Sequence, residues 1–287
     1  MGPTNHWSRS AQSKPAQNKP AQSKPTQSKP TMCGRLTLYT PLLDWLAELF
    51  PAYRDLWPTR IARLADERPE LFQARYNIAP TQAVLVIRQF SPHVEPRIES
   101  MRWGLVPAWA DSPKIAYSMI NARCETIEEK PTYRPLIDHG RCILIADGYY
   151  EWKTLPGPKA KPIKEAYWIH RRDDQPLALA SLWTSNSKIQ DPTTSSQELL
   201  STSIITTHAG ADTSAVHDRM PVVLQHPVDV NRWLSADATW KSISDLVGPA
   251  IEGTLKSTQV SSKVNSARNQ GPELIEPQAI GHPESLF

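Results

Sequence analysis

The clearest candidate for covalent chemistry in this sequence is Cys33, which directly follows an internal methionine, Met32. A cysteine at the N-terminus of a chain carries a free α-amine with a pKa of about 8 beside a thiol with a pKa of about 8.5. Such a 1,2-aminothiol condenses with an aldehyde, because the amine forms an imine and the thiol then closes a five-membered thiazolidine ring. If the chain begins at Met1, the nitrogen of Cys33 is an amide, and only an ordinary thiol nucleophile remains.

Three further segments concentrate polar residues that are costly to bury without a partner. They are INAR at 120–123, DGYYEWK at 147–153 and AVHDRMP at 215–221. Their candidate side chains each have a plain structural explanation as well. Asn121 could be a turn residue, Glu151 a surface charge at a strand end, and His217 a helix-terminal or core histidine. Taken singly, none of the three specifies a function.

Length and composition predict one globular domain from Met32 onward. The chain has 287 residues, of which 39% are hydrophobic and 10 are tryptophans, so it can form a large core. Its three cysteines show no CxxC spacing, which argues against a disulfide framework and a structural zinc site and favours a reducing compartment. The sequence has no run of 18 apolar residues and no apolar stretch of a signal peptide. We therefore expect a cytoplasmic protein that binds neither a metal nor a membrane.

The first 31 residues differ in composition from the rest. The net charge of +3 divides into +5 for residues 1–32, which contain no acidic residue, and −2 for the remainder. A domain that is basic throughout, the usual sign of a nucleic-acid-binding protein, is therefore absent, and any DNA-binding surface must be a local patch. Residues 11–30 repeat a pentad rich in Gln, Ser, Lys and Pro four times, which predicts a disordered tail over 1–31. The tail is either a linker or untranslated upstream sequence, or a nonspecific phosphate-binding arm.

The elements that must position the candidate residues are predicted to form an α+β fold. Thr40-Pro41, followed by an apolar run of helical period, is typical of an N-cap and a first-turn proline before an amphipathic helix. Runs rich in β-branched and aromatic residues predict strands at 83–89, 98–103, 141–146, 166–171, 177–183 and 203–207. Proline-rich turns separate the strands, so an antiparallel or mixed sheet is favoured over a doubly wound fold. The lysine- and proline-rich stretch 153–164 is predicted to be a turn or exposed loop.

Seven segments, in order along the chain, resemble those of one protein family. They are MCGR at 32–35, YNIAPTQ at 76–82, MRWGLVPAWA at 101–110, INARCETI at 120–127, RCILIADGYYEWK at 141–153, HDRMPVVL at 217–224 and NSARNQGPELIEP at 265–277. This is the SRAP (SOS response-associated peptidase) family, whose members sense abasic sites in DNA. The resemblance implies one SRAP-like domain over 32–280, in which mixed or antiparallel sheets form a barrel-like core flanked by short helices.

The resemblance also implies four catalytic residues, Cys33, Asn121, Glu151 and His217. The amine of Cys33 would attack C1′ of the ring-opened aldehyde of an abasic site, and its thiolate would close the thiazolidine. Glu151 could protonate the sugar ring oxygen or the developing hydroxyl, and His217 could shuttle protons. Asn121 could hold the product or the sugar hydroxyl by hydrogen bonds. This chemistry needs neither a metal nor a cofactor.

A second set of residues is implied to bind DNA: Arg35, Asn77, Pro80, Trp109, Arg123, Trp152 and Arg219. The planar guanidinium groups of the arginines suit phosphate oxygens. The tryptophans would stack or wedge against bases, which suits single-stranded DNA because stacking is indifferent to sequence. The asparagine and the proline of this set would shape the floor of the site.

The remaining tryptophans and cysteines that we considered are predicted to be structural. Trp103, Trp168 and Trp183 are assigned to the core, where a tryptophan in a strand segment is commonly found. Cys124 and Cys142 lie in apolar strand contexts. We therefore expect both thiols to be buried and inert.

One feature departs from the family pattern, because 32 residues precede Cys33. In the family, the cysteine follows the initiator methionine and becomes the first residue when that methionine is removed. Three explanations fit this sequence. Translation starts at Met32; or the tail is cut off, for example by the protein's own Cys33, Glu151 and His217; or the tail persists and the crosslinking chemistry is lost.

The main functional hypothesis is a monomeric protein that crosslinks covalently to abasic sites in single-stranded DNA and shields them during the DNA damage response. A β-elimination lyase activity could accompany the crosslink, since an imine at C1′ acidifies the C2′ protons. The first alternative is a cysteine peptidase with Cys33 as nucleophile and His217 as base, for which no oxyanion hole can be read from the sequence. The second alternative is a noncatalytic single-stranded-DNA-binding protein that only docks phosphates.

Overall fold

The computed structural model describes residues 1–2, 34–88, 95–158, 161–191 and 198–278. The chain divides into two units, Met1–Thr31 and Met32–Phe287. Cys33 and the predicted disordered tail, apart from its first two residues, lie outside the described residues. The disorder of the tail and the domain limits therefore stay predictions. All elements named below belong to the second unit.

The described part of the second unit contains thirteen strands and five α-helices. The strands are β1 (Arg35–Leu38), β2 (Arg75–Ile78), β3 (Ala83–Arg88), β4 (Arg97–Trp103), β5 (Asn121–Arg123), β6 (Arg141–Ala146), β7 (Gly148–Leu155), β8 (Ile163–Arg171), β9 (Leu177–Asn186), β10 (Leu199–His208), β11 (Arg219–Pro221), β12 (Val223–Leu224) and β13 (Leu255–Val260). The α-helices are α1 (Leu42–Leu49), α2 (Trp57–Glu67), α3 (Leu136–His139), α4 (Pro227–Leu234) and α5 (Trp240–Ile243). Short 3₁₀ helices lie at Pro51–Leu56, Pro69–Leu71, Pro113–Ser118, Cys124–Thr126, Ser244–Leu246, Ser262–Asn265 and Pro272–Leu274.

Five of the strands close into a barrel. Strand β3 pairs antiparallel with β4 and with β6, β6 pairs with β9, and β9 pairs with β10. A short parallel pairing closes the ring, because Ser201 of β10 lies opposite Arg102 of β4. Strands β5 and β11 extend the barrel at β10, and β12 extends it at β9. The predicted α+β class with a barrel-like core is confirmed.

A second, antiparallel sheet has the strand order β13-β8-β7-β1-β2. Within it, β1 lies between β7 and β2, and Arg35 lies opposite Tyr150. Strand β7 follows β6 after a single residue, Asp147, whose buried carboxylate accepts hydrogen bonds from the backbone N–H groups of Tyr39 and Thr40. Because β6 belongs to the barrel and β7 to the second sheet, this one-residue connection places β7 at the junction of the two sheets.

The core is apolar because the barrel strands supply long buried runs. All six residues of β6 are buried, which agrees with the continuous apolar run that follows Arg141. Trp103 is fully buried and donates its Nε1–H to the carbonyl oxygen of Ile120 at 3.2 Å. Trp168 is buried in a smaller cluster of the second sheet, whereas Trp183 is half-buried and packs against the main core.

Some boundaries differ from the predicted ones because strand pairing extends the elements. Strand β8 begins at Ile163, three residues early, since Ile163 pairs with Leu155 of β7. Both ends of the predicted loop 153–164 therefore belong to strands, since β7 ends at Leu155 and β8 begins at Ile163. Strand β9 continues to Asn186 because its last residues pair with the beginning of β10.

The predicted helix after Thr40 exists, but it begins at Leu42. Pro41 occupies the cap position without a side-chain cap, and the N–H of Thr40 donates to the Oδ2 atom of Asp147 at 3.0 Å. The predicted burial of Cys124 in a strand is wrong, since β5 ends at Arg123 and the half-buried Cys124 begins a 3₁₀ helix.

Cys142 is buried in β6, as predicted. Burial raises the pKa of both described thiols, and that of Cys142 to about 12. A raised pKa keeps a thiol in its protonated and poorly nucleophilic form at neutral pH. Neither Cys124 nor Cys142 is therefore suited to act as a nucleophile.

Candidate functional site

The chain enters the folded unit beside strand β7. Arg35 lies opposite Tyr150, and Glu151 is the next residue on β7. Gly34 precedes Arg35 and is the first described residue after the tail. Cys33 lies outside the described residues and is the sequence neighbour of Gly34. The end of β1 that leads back to the predicted nucleophile thus lies next to the predicted acid.

Glu151 is 2% exposed, so its alternative explanation as a surface charge does not hold. It lies opposite Tyr167 of β8, in a strand whose first four residues are all buried. Burial of a carboxyl group disfavours its charged form unless partners compensate for the lost water. The pairing of β7 with β8 therefore places the predicted acid inside the fold and not on its surface.

Asn77, on β2, is fully buried and ties β2 to residues 264–270, which we call the C-terminal segment. Its Nδ2 group lies at hydrogen-bond distance from the carbonyl oxygens of Val264, Ser266 and Asn269, at 3.2, 2.9 and 3.1 Å. Its Oδ1 atom accepts a hydrogen bond from Nη1 of Arg35 at 2.9 Å. An amide side chain is needed here, because the position must donate and accept hydrogen bonds at once.

Arg35 extends the same network. Its Nη1 group also donates to the carbonyl oxygen of Val264 at 2.9 Å, and its Nη2 group donates to that of Asn265 at 3.3 Å. The guanidinium thus joins β1 to the C-terminal segment across 229 residues of sequence. Burial lowers the pKa of Arg35, and guanidinium groups stay charged despite such shifts.

Two residues that the sequence analysis did not select complete this network. Gln270 accepts hydrogen bonds at Oε1 from the backbone N–H groups of Tyr76 and Asn77, both at 3.1 Å, and donates from Nε2 to the carbonyl oxygen of Asn77 at 3.0 Å. Asn265 accepts a hydrogen bond from Nε1 of Trp152 at 2.7 Å. The available signal was the run NSARNQG, since a loop so rich in amides favours hydrogen bonds from side chains to backbone.

Asn121 and Arg123 lie on the short strand β5, which runs parallel to β10. Asn121 is half-buried and pairs with Ile204, and its carbonyl oxygen accepts a hydrogen bond from the hydroxyl of Tyr133 at 3.4 Å. Arg123 lies opposite Thr206 and is exposed. The strand therefore presents an exposed guanidinium two residues from a half-buried amide.

Arg219, on β11, is buried and engaged with protein groups. Its Nη1 and Nη2 atoms donate to the two carboxylate oxygens of Glu125 at 2.8 and 2.9 Å, and Nη2 also donates to the carbonyl oxygen of Thr206 at 2.9 Å. Hydrogen bonds from Arg219 lower the pKa of Glu125 to about 2. The pair connects the segment after β5 to the strand that follows His217.

The ring of His217 makes two contacts that require opposite protonation at the same nitrogen. Its Nδ1 atom lies 3.0 Å from Oδ1 of Asp218, a contact that needs a proton on Nδ1. It also lies 3.1 Å from the backbone nitrogen of Arg219, whose N–H needs a lone pair on Nδ1. Nδ1 of His217 thus lies within hydrogen-bond distance of one acceptor and one donor.

Aromatic side chains are exposed on the loop between β4 and β5. Trp109 exposes 60% of its surface, which agrees with a stacking role rather than a core role. Tyr117, on the same loop, is 64% exposed and was not selected from the sequence. Pro80 is half-buried in the turn between β2 and β3, where Thr81 adopts a φ of 74°.

Eight of the predicted site residues fall into two groups. The first, held by the second sheet and the C-terminal segment, comprises Arg35, Asn77, Glu151 and Trp152. The second, held at β10 by β5 and β11, comprises Asn121, Arg123, His217 and Arg219. Within the described ranges, no group of three or more His, Cys, Asp or Glu side chains could hold a metal ion. No helix in those ranges is long and apolar enough to cross a membrane.

A family model described as SOS response associated peptidase (SRAP) matches residues 32–267. The chain belongs to this family. The match begins at Met32, directly before Cys33, and includes every predicted catalytic and DNA-binding residue. The matched residues include all thirteen strands, and they end before Asn269 and Gln270 of the network described above.

Several SRAP relatives are similar over nearly their full length. The abasic site processing protein YoaM of Bacillus subtilis is 34% identical over 251 residues, which cover 85% of this chain and 98% of the relative. The abasic site processing protein YedK of Escherichia coli is 32% identical over 251 residues, covering 86% of this chain and 100% of the relative. A solved structure of a protein from Bacteroides thetaiotaomicron has a TM-score of 0.61 at 23% identity and covers 73% of this chain and 88% of that chain, which supports the SRAP fold alone.

Proposed function

We propose that this protein processes abasic sites in DNA and does so by forming a covalent bond from Cys33 to the sugar aldehyde. The observation that carries the proposal is the family membership together with the similarity to relatives named abasic site processing proteins. The entry of the chain beside Glu151 supports it further, because a nucleophile and an acid must lie close together to act on one sugar.

The proposed reaction needs a free α-amine on Cys33, so the residues before it must be absent or removed. The amine attacks C1′ of the ring-opened abasic site and gives a carbinolamine, which loses water to form an imine. The thiolate then adds to the imine carbon and closes a thiazolidine. One water molecule leaves, no electrons are transferred to another molecule, and the amine nitrogen and the sulfur both end bonded to C1′.

Three side chains are assigned to the proton transfers and to the sugar. Glu151 protonates the sugar ring oxygen as the ring opens, because its carboxyl group is buried and next to the residue that pairs with Arg35. His217 is assigned to proton transfer, because its Nδ1 atom lies within hydrogen-bond distance of an acceptor, Asp218, and of a donor, the N–H of Arg219. Asn121 holds the sugar hydroxyl by a hydrogen bond.

The proposed partner is single-stranded DNA, bound by a monomer. Direct contacts are assigned to Trp109 and Arg123, which are the exposed members of the predicted DNA-binding set. The half-buried and buried members shape the site: Arg35, Asn77, Pro80, Trp152 and Arg219. If the thiol does not close the ring, the imine acidifies the C2′ protons, and β-elimination cleaves the strand as a lyase would.

The test compares three proteins on an oligonucleotide with one abasic site and on an intact one. They are a chain that begins at Cys33, its Cys33→Ala variant and the full-length chain, each with its N-terminus verified by intact mass. We expect a heat- and base-stable adduct only for the first protein, with a mass equal to protein plus DNA minus one water. Stable adduct formation by Cys33→Ala at the wild-type rate would disprove the aminothiol mechanism.

The same experiment separates the alternatives. Release of the tail from the full-length chain would identify self-processing peptidase chemistry, provided that a full-length Cys33→Ala protein keeps its tail. Strand cleavage without an adduct would identify a lyase. Equal and reversible binding of both oligonucleotides by all three proteins would identify a noncatalytic DNA-binding protein.

A further inference from the structure

A groove with a volume of about 550 Å³ lies between the segment that follows α2, residues 68–74, and the ends of β2, β3 and β4. Three arginines line it, although none of them was selected for the candidate site: Arg68, Arg75 and Arg102. Two acidic residues, Glu70 and Asp191, line it as well. The carboxylate of Glu70 is engaged by Nε of Arg68 at 2.7 Å. The groove therefore gathers three guanidinium groups and two carboxylates, an excess of one positive charge.

Arg102 is the most informative of these arginines. It lies at the end of β4, opposite Ala83 of β3 and Ser201 of β10, and is half-buried. Its Nε atom is buried and has no hydrogen-bond partner in the part of the chain that the structure describes. A buried donor of a charged group that lacks a partner is costly, so such a group commonly serves a ligand.

Arg75 is held in place by β3 and by the turn that precedes β3. Its Nη1 group donates to the carbonyl oxygen of Ala83 at 2.8 Å, and its Nη2 group donates to Oε1 of Gln82 at 3.3 Å. Burial lowers the pKa of Arg75, the positive charge of Arg68 adds to this effect, and Glu70 opposes it. Two like charges within electrostatic range of each other favour a bound anion.

The groove shares a wall with the candidate site. Gln270, which lines the groove, also binds the backbone of Tyr76 and Asn77, and Asn77 accepts from Arg35 in the site. A DNA strand that leaves the site along β2 would therefore pass the groove. Phosphate oxygens are the anions that such a strand presents at regular intervals, and guanidinium groups bind them well.

We propose that this groove binds a backbone phosphate of the DNA strand that flanks the abasic nucleotide, with Arg102 as its principal donor. The proposal rests on the proposed function, which supplies the strand. It assigns the contact to a phosphodiester of the same strand and not to a free nucleotide.

The experiment measures binding of the full-length chain to a labelled, undamaged single-stranded oligonucleotide over a series of salt concentrations. The variant Arg102→Gln removes one charge, and Arg63→Gln, on the exposed face of α2, removes the same charge away from the groove. We expect Arg102→Gln to weaken binding several-fold and to lower the slope of log affinity against log salt by about 0.7. Equal affinities and equal slopes for the two variants would overturn the proposal.

A second variant guards against misfolding. Gln73 is exposed on the rim of the groove, and Gln73→Glu places a negative charge there without removing a buried group. We expect Gln73→Glu to weaken binding of a long oligonucleotide while leaving a short one, confined to the abasic site, unaffected. Wild-type binding of the long oligonucleotide by a folded Gln73→Glu protein would count against the groove.

Two further measurements distinguish a failure of the proposed function from a failure of the groove proposal. The adduct yield of a chain that begins at Cys33, measured with saturating abasic DNA, reports on the proposed function alone. Its absence would refute that function, while the salt slopes would still test the groove. Deoxyadenosine monophosphate tests the other source of a phosphate. Binding of this nucleotide by the wild type that Arg102→Gln abolishes, with unchanged oligonucleotide slopes, would show a free-nucleotide site and overturn the proposal.

Discussion

Arg219 and Glu125 form a two-pronged ion pair, with N–O distances of 2.8 and 2.9 Å. The pair joins the segment that follows β5 to the strand that follows His217. Arg219 also supplies the backbone N–H that reaches the ring of His217. One residue thus holds both the strand of Asn121 and the position of the histidine.

The ion pair predicts a pH dependence of stability. A glutamate in the unfolded chain takes up a proton near pH 4.3, whereas the folded pKa of Glu125 is about 2. The pair therefore stabilises the fold fully above about pH 4.3, and this contribution is lost as the pH falls towards 2. Glu125→Gln should lower the free energy of unfolding at neutral pH by less than about 1 kcal/mol, because the carboxylate is partly exposed.

Urea unfolding at a series of pH values measures this effect. The difference between wild type and Glu125→Gln should shrink as the pH is lowered from about 4.5 to about 2. Glu128→Gln, at an exposed position nearby, is the control and should show no such trend. A difference that stays constant over this range would show that the carboxylate charge does not stabilise the fold.

Glu151→Gln should keep the fold but slow adduct formation, because an amide cannot donate the proton that ring opening needs. General acid catalysis typically contributes about 10²- to 10⁴-fold to a rate. Single-turnover kinetics on abasic DNA measure the effect, and Glu165→Gln on β8 serves as a control carboxyl group. His217→Ala should also slow formation or reversal of the adduct. Unchanged rates in both Glu151→Gln and His217→Ala would assign these residues to structure alone.

Asn77→Ala should destabilise the protein by about 2–4 kcal/mol, because it leaves several buried groups without their hydrogen-bond partner. Denaturant unfolding measures the loss. Asn231→Ala removes one amide from an exposed helical position and should change stability by no more than about 0.5 kcal/mol. Similar small losses in both variants would contradict the role given to Asn77.

Trp109→Ala should weaken binding of single-stranded DNA by about 1–3 kcal/mol, the usual contribution of one aromatic stacking platform. Its effect on thermal stability should be small, since the side chain is exposed. Fluorescence anisotropy with an undamaged oligonucleotide measures the affinity. Val228→Ala, at another exposed apolar position, is the control, and equal affinities in the two variants would remove Trp109 from the DNA-binding surface.

The sequence predicts best those strands whose bounds are determined by their own residues and not by a pairing partner. Strand β6 has its predicted bounds because a continuous apolar run between polar residues leaves little choice. Strand β9 is three residues longer than predicted because its partner β10, and not its own residues, fixes its end. The closure of the barrel depends on the parallel pairing of β10 with β4. The hydrophobic pattern of each strand predicts a strand but not which other strand it pairs with.

The site shows the same division. The candidate site residues could be named from the sequence because seven motifs occur together and in the order of the family, although no single motif would have sufficed. The contributions of Gln270 and Asn265 could not, since they act through the backbone of Tyr76 and the indole of Trp152 across more than a hundred residues. Arg102 was missed for another reason: a single arginine at a strand end has no pattern of its own.

The hydrogen bond from Arg35 to the carbonyl oxygen of Val264 spans almost the entire folded unit. Until Val264 has been synthesised and has left the ribosome, Arg35 and Asn77 therefore lack their hydrogen-bond partners in the C-terminal segment. Contacts between residues so far apart in sequence also form late in folding, because closing the intervening loop is entropically costly. Assembly of this network thus depends on nearly complete synthesis, and a nascent or truncated chain that contains Cys33 but ends before Val264 would lack these hydrogen bonds.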